Sequence, residues 1–209
     1  MYKKTFLLLS CFFLINCESL SYDLVIKNGE VFDGSGTESK TVDIAITGNT
    51  IIKVGKINSE KSTRVIDASG LIVSPGFIDT HAHLDPMDNF IKLSDSESHV
   101  RQGVTTSFGG PDGRGVPLKY GFKQYLDTIE KVGVGMNVGF LTGHNKIRRV
   151  VMNLDNREPT NDELEIMKNL ASKAMDEGAF GISTGLKYLP GNFSKVGEVI
   201  AISKEISNK

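Results

Sequence analysis

From Asp23 to Val73 the chain repeats short stretches, "YDLVIKNGEVFDGSG", "TVDIAITGNTIIKVG" and "TRVIDASGLIVSPG", in which Val, Ile and Thr alternate with polar residues. A period of two turns one side of an extended backbone toward a core and the other toward solvent. The pattern therefore predicts half-buried β-strands of about five to seven residues. Asn28-Gly29, Gly34 to Gly36, Gly48-Asn49 and Ser69-Gly70 punctuate the run and are expected as turns. Together these features predict a small antiparallel β unit ending at about residue 74.

After Pro75 the rhythm changes. "GFIDTHAHL" reads as a buried strand, "SDSESHVRQG" as a short helix opened by a Ser/Asp cap, and "VTTSFGG" as a second strand. "LKYGFKQYLDTIEKVG" has helical spacing and stops at Gly133, and "GMNVGFLTGH" is a third strand. Residues 160–178 carry the clearest helix signal: Thr160 as N-cap, Glu163 completing a capping box, an apolar stripe of Leu164, Met167, Leu170, Ala171 and Ala174, and Gly178 as the stop. "AFGISTGL" then reads as a fourth strand and "VGEVIAISKEIS" as a further helix. This alternation predicts an α/β fold with parallel strands and helical crossovers, either a doubly wound sheet or a (β/α) barrel. The polar candidates fall just after each strand, where barrel enzymes build their sites.

Composition removes several function classes. The 24 basic and 25 acidic residues nearly cancel, and no basic stripe interleaved with aromatics tracks a phosphate backbone, so nucleic acid is excluded as a partner. The N-terminus has a basic head, "MYKK", and an apolar core, "TFLLLSCFFLI", too short to span a bilayer comfortably, which is a secretory signal pattern over residues 1–16. Leu14-Ile15-Asn16-Cys17 looks like a bacterial lipobox, with Asn16 where a smaller residue is commoner. The expectation is an exported protein of the cell envelope, held to the membrane by a lipid on Cys17. Cleavage before Cys17 removes Cys11 and leaves one cysteine, so no intrachain disulfide is expected.

Candidate chemistry centres on "PGFIDTHAHLD". Residues i and i+2 of a strand share a face, so His81 and His83 can lean together while Ala82 faces away. Two imidazoles so placed form a usable metal clip, and Asp79 and Asp85 on either side make a pair of ordinary core histidines the weaker explanation.

At these residues the sequence resembles a known family. "VIDASGLIVSPGFIDTHAHLD" is similar to the opening strand of the amidohydrolase superfamily. "GVTTSFGGPDG", "GHNKIRRVVM" and "EGAFGISTGLKYLPG" narrow the likeness to the N-acyl-D-amino-acid deacylases, or D-aminoacylases. The resemblance implies a small β-sandwich part over residues 17–74. It implies the N-terminal part of a (β/α)8 barrel, about four strand-helix units, over 75–209. It also implies a divalent metal, zinc above all, and hydrolysis of the amide bond of small N-acyl amino acids. His81 and His83 match the family's histidine pair. Asp112 stands where its well-known members place a zinc-binding cysteine, a harder ligand that shifts metal preference. His144 matches a residue beside the active site. Arg148, by its bidentate fork, and Tyr188 match groups that hold the substrate carboxylate. Lys187 matches superfamily members with a carboxylated lysine, but adjacent strand-end residues point opposite ways, so with Tyr188 facing the site Lys187 is expected as a surface lysine, and His99 as a plain helix residue. Two further histidines after the fifth and sixth strands and an aspartate general base after the eighth would complete the site, so no catalytic base is expected up to Lys209. The chain alone is expected to be an inactive, truncated fragment. The alternatives are a cyclic amidohydrolase of the dihydroorotase or hydantoinase kind, or an envelope lipoprotein without catalysis.

Overall fold

The computed structural model describes residues 21–84, 92, 94–116, 118 and 121–209. The signal segment, Cys17 and Asp85 lie outside the described residues. No described helix is long and apolar enough to cross a membrane. The chain divides into two compact units, Met1–Pro75 and Gly76–Lys209.

The first unit is one five-stranded sheet. Strands β1 (Tyr22–Val31), β2 (Lys40–Thr47), β3 (Thr50–Gly55) and β4 (Ser62–Asp67) lie in the order β3-β2-β1-β4, and β5 (Ile72–Val73) also pairs with β1. The β1-β2 and β2-β3 pairs are antiparallel, whereas β4 and β5 run parallel to β1. The sheet is thus mixed, not antiparallel throughout. Period two fixes which face a strand buries but says nothing of a non-local partner's direction.

Asn28-Gly29 is likewise no turn: β1 continues through it with a bulge, the register shifting between Ile26 and Gly29 and Asn28 at φ 60°. Asn tolerates this left-handed region, and the extra residue is accommodated without ending the strand. Asp43 anchors the bulge. Its Oδ1 accepts from the Asn28 N–H at 3.0 Å, and its Oδ2 accepts from the Ile57 N–H at 3.1 Å. Tyr22, Val25, Ala45 and Ile57 form the buried cluster of this unit, while Ile51, Ile52, Val54 and Val65 remain exposed.

The second unit alternates strand and helix. Strands β6 (Phe77–Asp79), β7 (Val104–Gly109) and β8 (Asn137–Phe140) form a parallel sheet in that order. After Leu141 the chain continues as β9 (Thr142–Gly143), which pairs in parallel with β10 (Ile182–Ser183). Each strand therefore neighbours the next in sequence, with no reversal of the order among the described strands. The first of them departs from expectation. β6 spans three residues, and Phe77 and Ile78 are exposed. An apolar run marks a strand but does not say how many faces are covered.

The helices are α1 (Glu97–Val100), α2 (Phe122–Val132), α3 (His144–Met152), α4 (Asn161–Asp176) and α5 (Val196–Ile206). At α1 the N-cap Ser96 makes no side-chain cap bond, against the reading of a Ser/Asp cap. α2 ends at Gly133 as predicted, and its first amides are capped from afar: Glu177 Oε2 accepts from the Phe122 and Lys123 N–H groups at 2.8 and 3.2 Å. α4 has the full capping box. The Glu163 N–H donates to Thr160 Oγ1 at 3.2 Å, and the Thr160 N–H donates to Glu163 Oε2 at 2.8 Å. Hydrogen bonds from Arg157, then from Thr160, hold the Glu163 carboxyl down to about 2.

Two apolar clusters hold this unit together. In one, Phe122, Tyr125 and Ile129 of α2 pack on Phe140, Met136 and Ala82, with Tyr125 and Phe140 edge to face at 4.9 Å. In the other, Ile147 and Met152 of α3 meet Met167 and Ala171 of α4 and Ile202 of α5. Burying side chains of this size contributes about 1.5–3 kcal/mol each, and it fixes the helices that carry the polar residues considered next.

Candidate metal centre

Beyond β6 the chain stays aligned with β7: the Ala82 N–H donates to the Phe108 carbonyl at 3.0 Å, and Ala82 itself is buried. His81 and His83, one residue to either side, emerge together on the open side. Their ring centroids are 5.5 Å apart in an edge-to-face arrangement. Asp79 takes no part in the cluster. Its Oδ1 accepts from the His81 N–H at 3.0 Å and fixes the turn that aims the first histidine.

The third member comes from the turn after β7. Asp112 sits at φ 58° within "GGPDGRG", a loop in which Gly110, Gly113 and Gly115 also have positive φ. A short polar side chain tolerates this conformation, and the glycines permit the close approaches around it. The Gly113 N–H donates to Ser183 Oγ at 3.0 Å, and the same hydroxyl donates to the Gly110 carbonyl at 2.5 Å. A Cβ on Gly185 would run into the Asp112 carbonyl. The loop is thus clamped by the end of β10.

Asp112 Oδ2 lies 3.5 Å from His81 Nε2 and 3.4 Å from His83 Nε2, and one ligand atom from each of the three falls within 4.8 Å of the others. Two bonds of about 2.1 Å at a tetrahedral angle separate their donor atoms by about 3.4 Å, so the spacing matches donors around a single ion. Two imidazole nitrogens and a carboxylate oxygen are ligands for a borderline divalent cation. The histidine side chains are 64% and 46% exposed, so the face toward a ligand is open.

His144 and Arg148 go elsewhere. Both are buried in α3 and both bind Glu198 of α5: His144 Nε2 donates to Oε1 at 2.7 Å, and Arg148 Nη1 donates to Oε2. Arg148 Nη2 also donates to the carbonyls of Arg157, at 2.6 Å, and Asp155, at 3.3 Å. Burial pushes the Glu198 carboxyl up, but hydrogen bonds from His144 and Arg148 outweigh it and hold the group below the usual range. The expected substrate role of the Arg148 fork is corrected here. A fully buried guanidinium must find a carboxylate, and it finds one inside the protein.

The neighbouring Arg149 points the other way. With Lys146, Asn145 and Leu189 it lines a cavity of about 290 Å³ whose other walls are Asp112, Gly113, Arg114 and Tyr188. Tyr188 is half exposed and belongs to this wall, whereas Lys187 is an exposed residue of the turn after β10 and is absent from it. His99 lies in α1, as expected, beside Ser98.

Sequence reasoning missed two residues. Glu198 stands in the first turn of α5, a common place for an exposed acid, and its partners are 50 and 54 positions away. Asn145 is buried between loops: its Nδ2 donates to the carbonyls of Gly185, at 3.0 Å, and Tyr188, at 3.3 Å, and a Cβ on Gly113 or Gly191 would run into it. Asn145 therefore positions both the Asp112 loop and the Tyr188 turn. The signal available was its place directly after His144 in a strand-to-helix junction.

Known proteins resemble the chain in both sequence and structure. Residues 64–195 match the profile of the amidohydrolase family. The chain is 31% identical to the D-aminoacylase of Alcaligenes xylosoxydans xylosoxydans over 91% of its own length and 43% of that protein's. A solved D-aminoacylase studied for its binuclear metal centre superposes with a TM-score of 0.81 at 30% identity, covering 88% of this chain and 43% of that one. The N-acyl-D-glutamate deacylase of Bordetella bronchiseptica, solved with zinc and a phosphonate inhibitor, gives 0.82 at 28% identity, covering 90% and 43%. The chain thus spans less than half the length of these relatives.

Proposed function

Because the chain belongs to the amidohydrolase family, we propose that it forms part of a metal-dependent deacylase that hydrolyses the amide bond of N-acyl-D-amino acids. The observation that carries this reading is the convergence of His81, His83 and Asp112 within 4.8 Å. The parallel strands in consecutive order support a (β/α) barrel wall, with the polar residues at its strand ends. The five-stranded sheet of the first unit fits the small β-sandwich part of such enzymes.

The three residues would hold a divalent ion, zinc above all, which lowers the pKa of a bound water toward neutrality and polarises an amide carbonyl. His81 and His83 would supply imidazole nitrogens, and Asp112 a carboxylate oxygen in place of a thiolate. Asp79 fixes the turn before His81, and the Ser183 clamp fixes Asp112. Tyr188, whose carbonyl accepts from Asn145 and which lines the adjacent cavity, would offer its hydroxyl to the substrate's α-carboxylate.

The test uses the full-length protein, stripped with chelator and reloaded with zinc, and measures release of D-amino acids from a panel of N-acetyl-D-amino acids. Zinc-dependent release supports the reading. Failure to release any, with turnover of dihydroorotate or hydantoins, overturns it in favour of a cyclic amidohydrolase.

Export and lipidation at Cys17 belong to the same proposal and rest on the basic head, the apolar run and the lipobox alone. Labelled palmitate should enter the protein expressed in bacteria and be lost in Cys17→Ser; labelling that persists removes the assignment.

A further inference from the structure

Asn145 touches both halves of the candidate site in a way that stability alone does not explain. Its side chain is buried, and Oδ1 accepts no hydrogen bond among the described residues. A buried acceptor without a donor is unfavourable, and native structures hold few of them. The orientation of the amide is fixed all the same. Nδ2 faces two carbonyls, those of Gly185 and Tyr188, so exchanging the two atoms would set oxygen against oxygen.

The unpartnered oxygen is wedged between two backbones, since a Cβ on either Gly113 or Gly191 would run into it. Gly113 follows Asp112 directly, and its carbonyl accepts from the Lys146 N–H at 3.2 Å. Asn145 itself rides on α3, which the fully buried Ile147 and Arg148 hold in place. One side chain on a fixed helix thus bears on the metal loop with its oxygen and on the Tyr188 turn with its nitrogen. Close-packed groups transmit displacement, so a shift in one turn is felt by the other. The other backbone bonds of Tyr188, from its N–H to the Gly185 carbonyl and from the Asn192 N–H to its own carbonyl, stay within its segment.

We propose that Asn145 is a positioning residue that makes metal and substrate binding cooperative. An ion on Asp112 holds the Gly113 backbone, the amide then holds the Tyr188 turn, and the carboxylate of an N-acyl-D-amino acid meets a turn already ordered. The proposal rests on the deacylase reading and deepens it. The ordering of the shared amide falls on whichever ligand binds first, so the second binds more tightly. Linkage makes the effect reciprocal: the ion tightens the carboxylate by the same factor as the carboxylate tightens the ion. Gly185, packed on the Asp112 carbonyl, offers a second route between the turns, and substitutions that leave it untouched separate the two.

The experiment follows amide hydrogen exchange over residues 185–192 of the full-length protein, with and without zinc and with no substrate. In the parent, zinc should slow exchange there by at least about fivefold, the lower range of coupling between sites. In Asn145→Ala the slowing should fall below about twofold with zinc still bound. A merely structural Asn145 would speed exchange equally in both states and leave the ratio unchanged. If Asn145→Ala fails to fold by its thermal transition, Gly191→Ala, at a residue of neither the metal cluster nor the cavity wall, pushes on the same amide and should lower the ratio as well. The reciprocal readout is calorimetry with N-methanesulfonyl-D-alanine, which has the carboxylate but no carboxamide to cleave. Zinc should tighten it at least about fivefold more in the parent than in the variant. Any direct contact of this probe with the ion is common to both proteins and cancels.

An exchange ratio near unity in the parent, a ratio that survives the substitutions, or equal tightening of the probe in parent and variant overturns the coupling. Release of D-amino acids then leaves the deacylase reading standing. Coupling present in both measurements without turnover of any N-acyl-D-amino acid supports the role of Asn145 and fails the deacylase reading alone.

Discussion

Two clusters in the second unit use nearly the same chemistry to opposite ends. His144, Glu198 and Arg148 are buried, and both Glu198 oxygens accept from its partners. His81 and His83 each leave Nε2 3.4–3.5 Å from Asp112 Oδ2, close to the separation an ion between them would set, and Asp112 also lines an open cavity. Residue type therefore does not decide function here. What decides it is whether each charge is neutralised from within the protein or left facing outward. The inner cluster ties α3, α5 and the loop at 155–157 together, and the outer one is held by that frame but not used by it.

The contrast breaks hardest at Glu198. Glu198→Ala leaves Arg148 and His144 buried without their carboxylate and should cost about 3–5 kcal/mol in urea unfolding of the full-length protein. A change within about 0.5 kcal/mol would place the inner cluster among dispensable pairs. The pH dependence has a definite sign. The folded Glu198 carboxyl lies below its ordinary value of 4.5, so its contribution is complete above that pH and is lost as the pH falls through the folded value. Glu163, held at about 2, acts with the same sign between 4.5 and about 2. The parent should therefore lose stability on acidification below pH 4.5, and Glu198→Ala should lose less, as thermal midpoints across that range would show.

Replacing the outer cluster should do the reverse. The double variant His81→Ala/His83→Ala should leave metal-free stability within about 0.5 kcal/mol, because both side chains are exposed. Its zinc affinity in chelator competition should fall by at least about 100-fold, the upper range for losing even a group that supports a ligand. Asp112→Cys sharpens the comparison, since a thiolate should raise the preference for zinc over manganese. Retained affinity in the alanine variant would locate the ion elsewhere.

A smaller effect tests whether the outer cluster depends on its clamp. Gly185→Ala forces a methyl group against the Asp112 carbonyl and should cost about 1–3 kcal/mol together with a measurable loss of zinc affinity. Stability lost without any change in affinity would show that Asp112 tolerates a shifted loop. The smallest effect is expected where neither cluster is involved: Thr160→Ala removes the α4 cap and should cost about 1 kcal/mol in urea unfolding, with zinc affinity unchanged.

These differences follow what could be read along the chain. The α4 helix was legible in full because its cap, stripe and stop are all local: Thr160, Glu163 and Gly178 lie within one continuous segment. The His81 and His83 pair was legible because period two fixes the relation of i to i+2. Arg148 was not, because its partner lies 50 positions on and a single sequence holds no record of that contact. Distinguishing Arg148 from Arg149 needed the phase of α3, a helix hidden behind the strand signal that precedes it. The Asn28-Gly29 bulge was misread for a related reason: the dipeptide suits a hairpin turn and a left-handed bulge equally, and the Asp43 anchor that selects the bulge lies 15 positions away.

The Ser183 clamp also sets an order of events during synthesis. His81, His83 and Asp112 all leave the ribosome well before the hydroxyl that bridges Gly113 and Gly110, which lies 70 positions beyond Gly113. Until that serine arrives, the nascent chain carries two imidazoles and a carboxylate on a glycine-rich loop with no fixed aim. On the proposed metal role, a cation met at that stage would find a floppy chelate, not a geometric site, and metal choice would be a property of the finished wall, not of the first ligands to emerge.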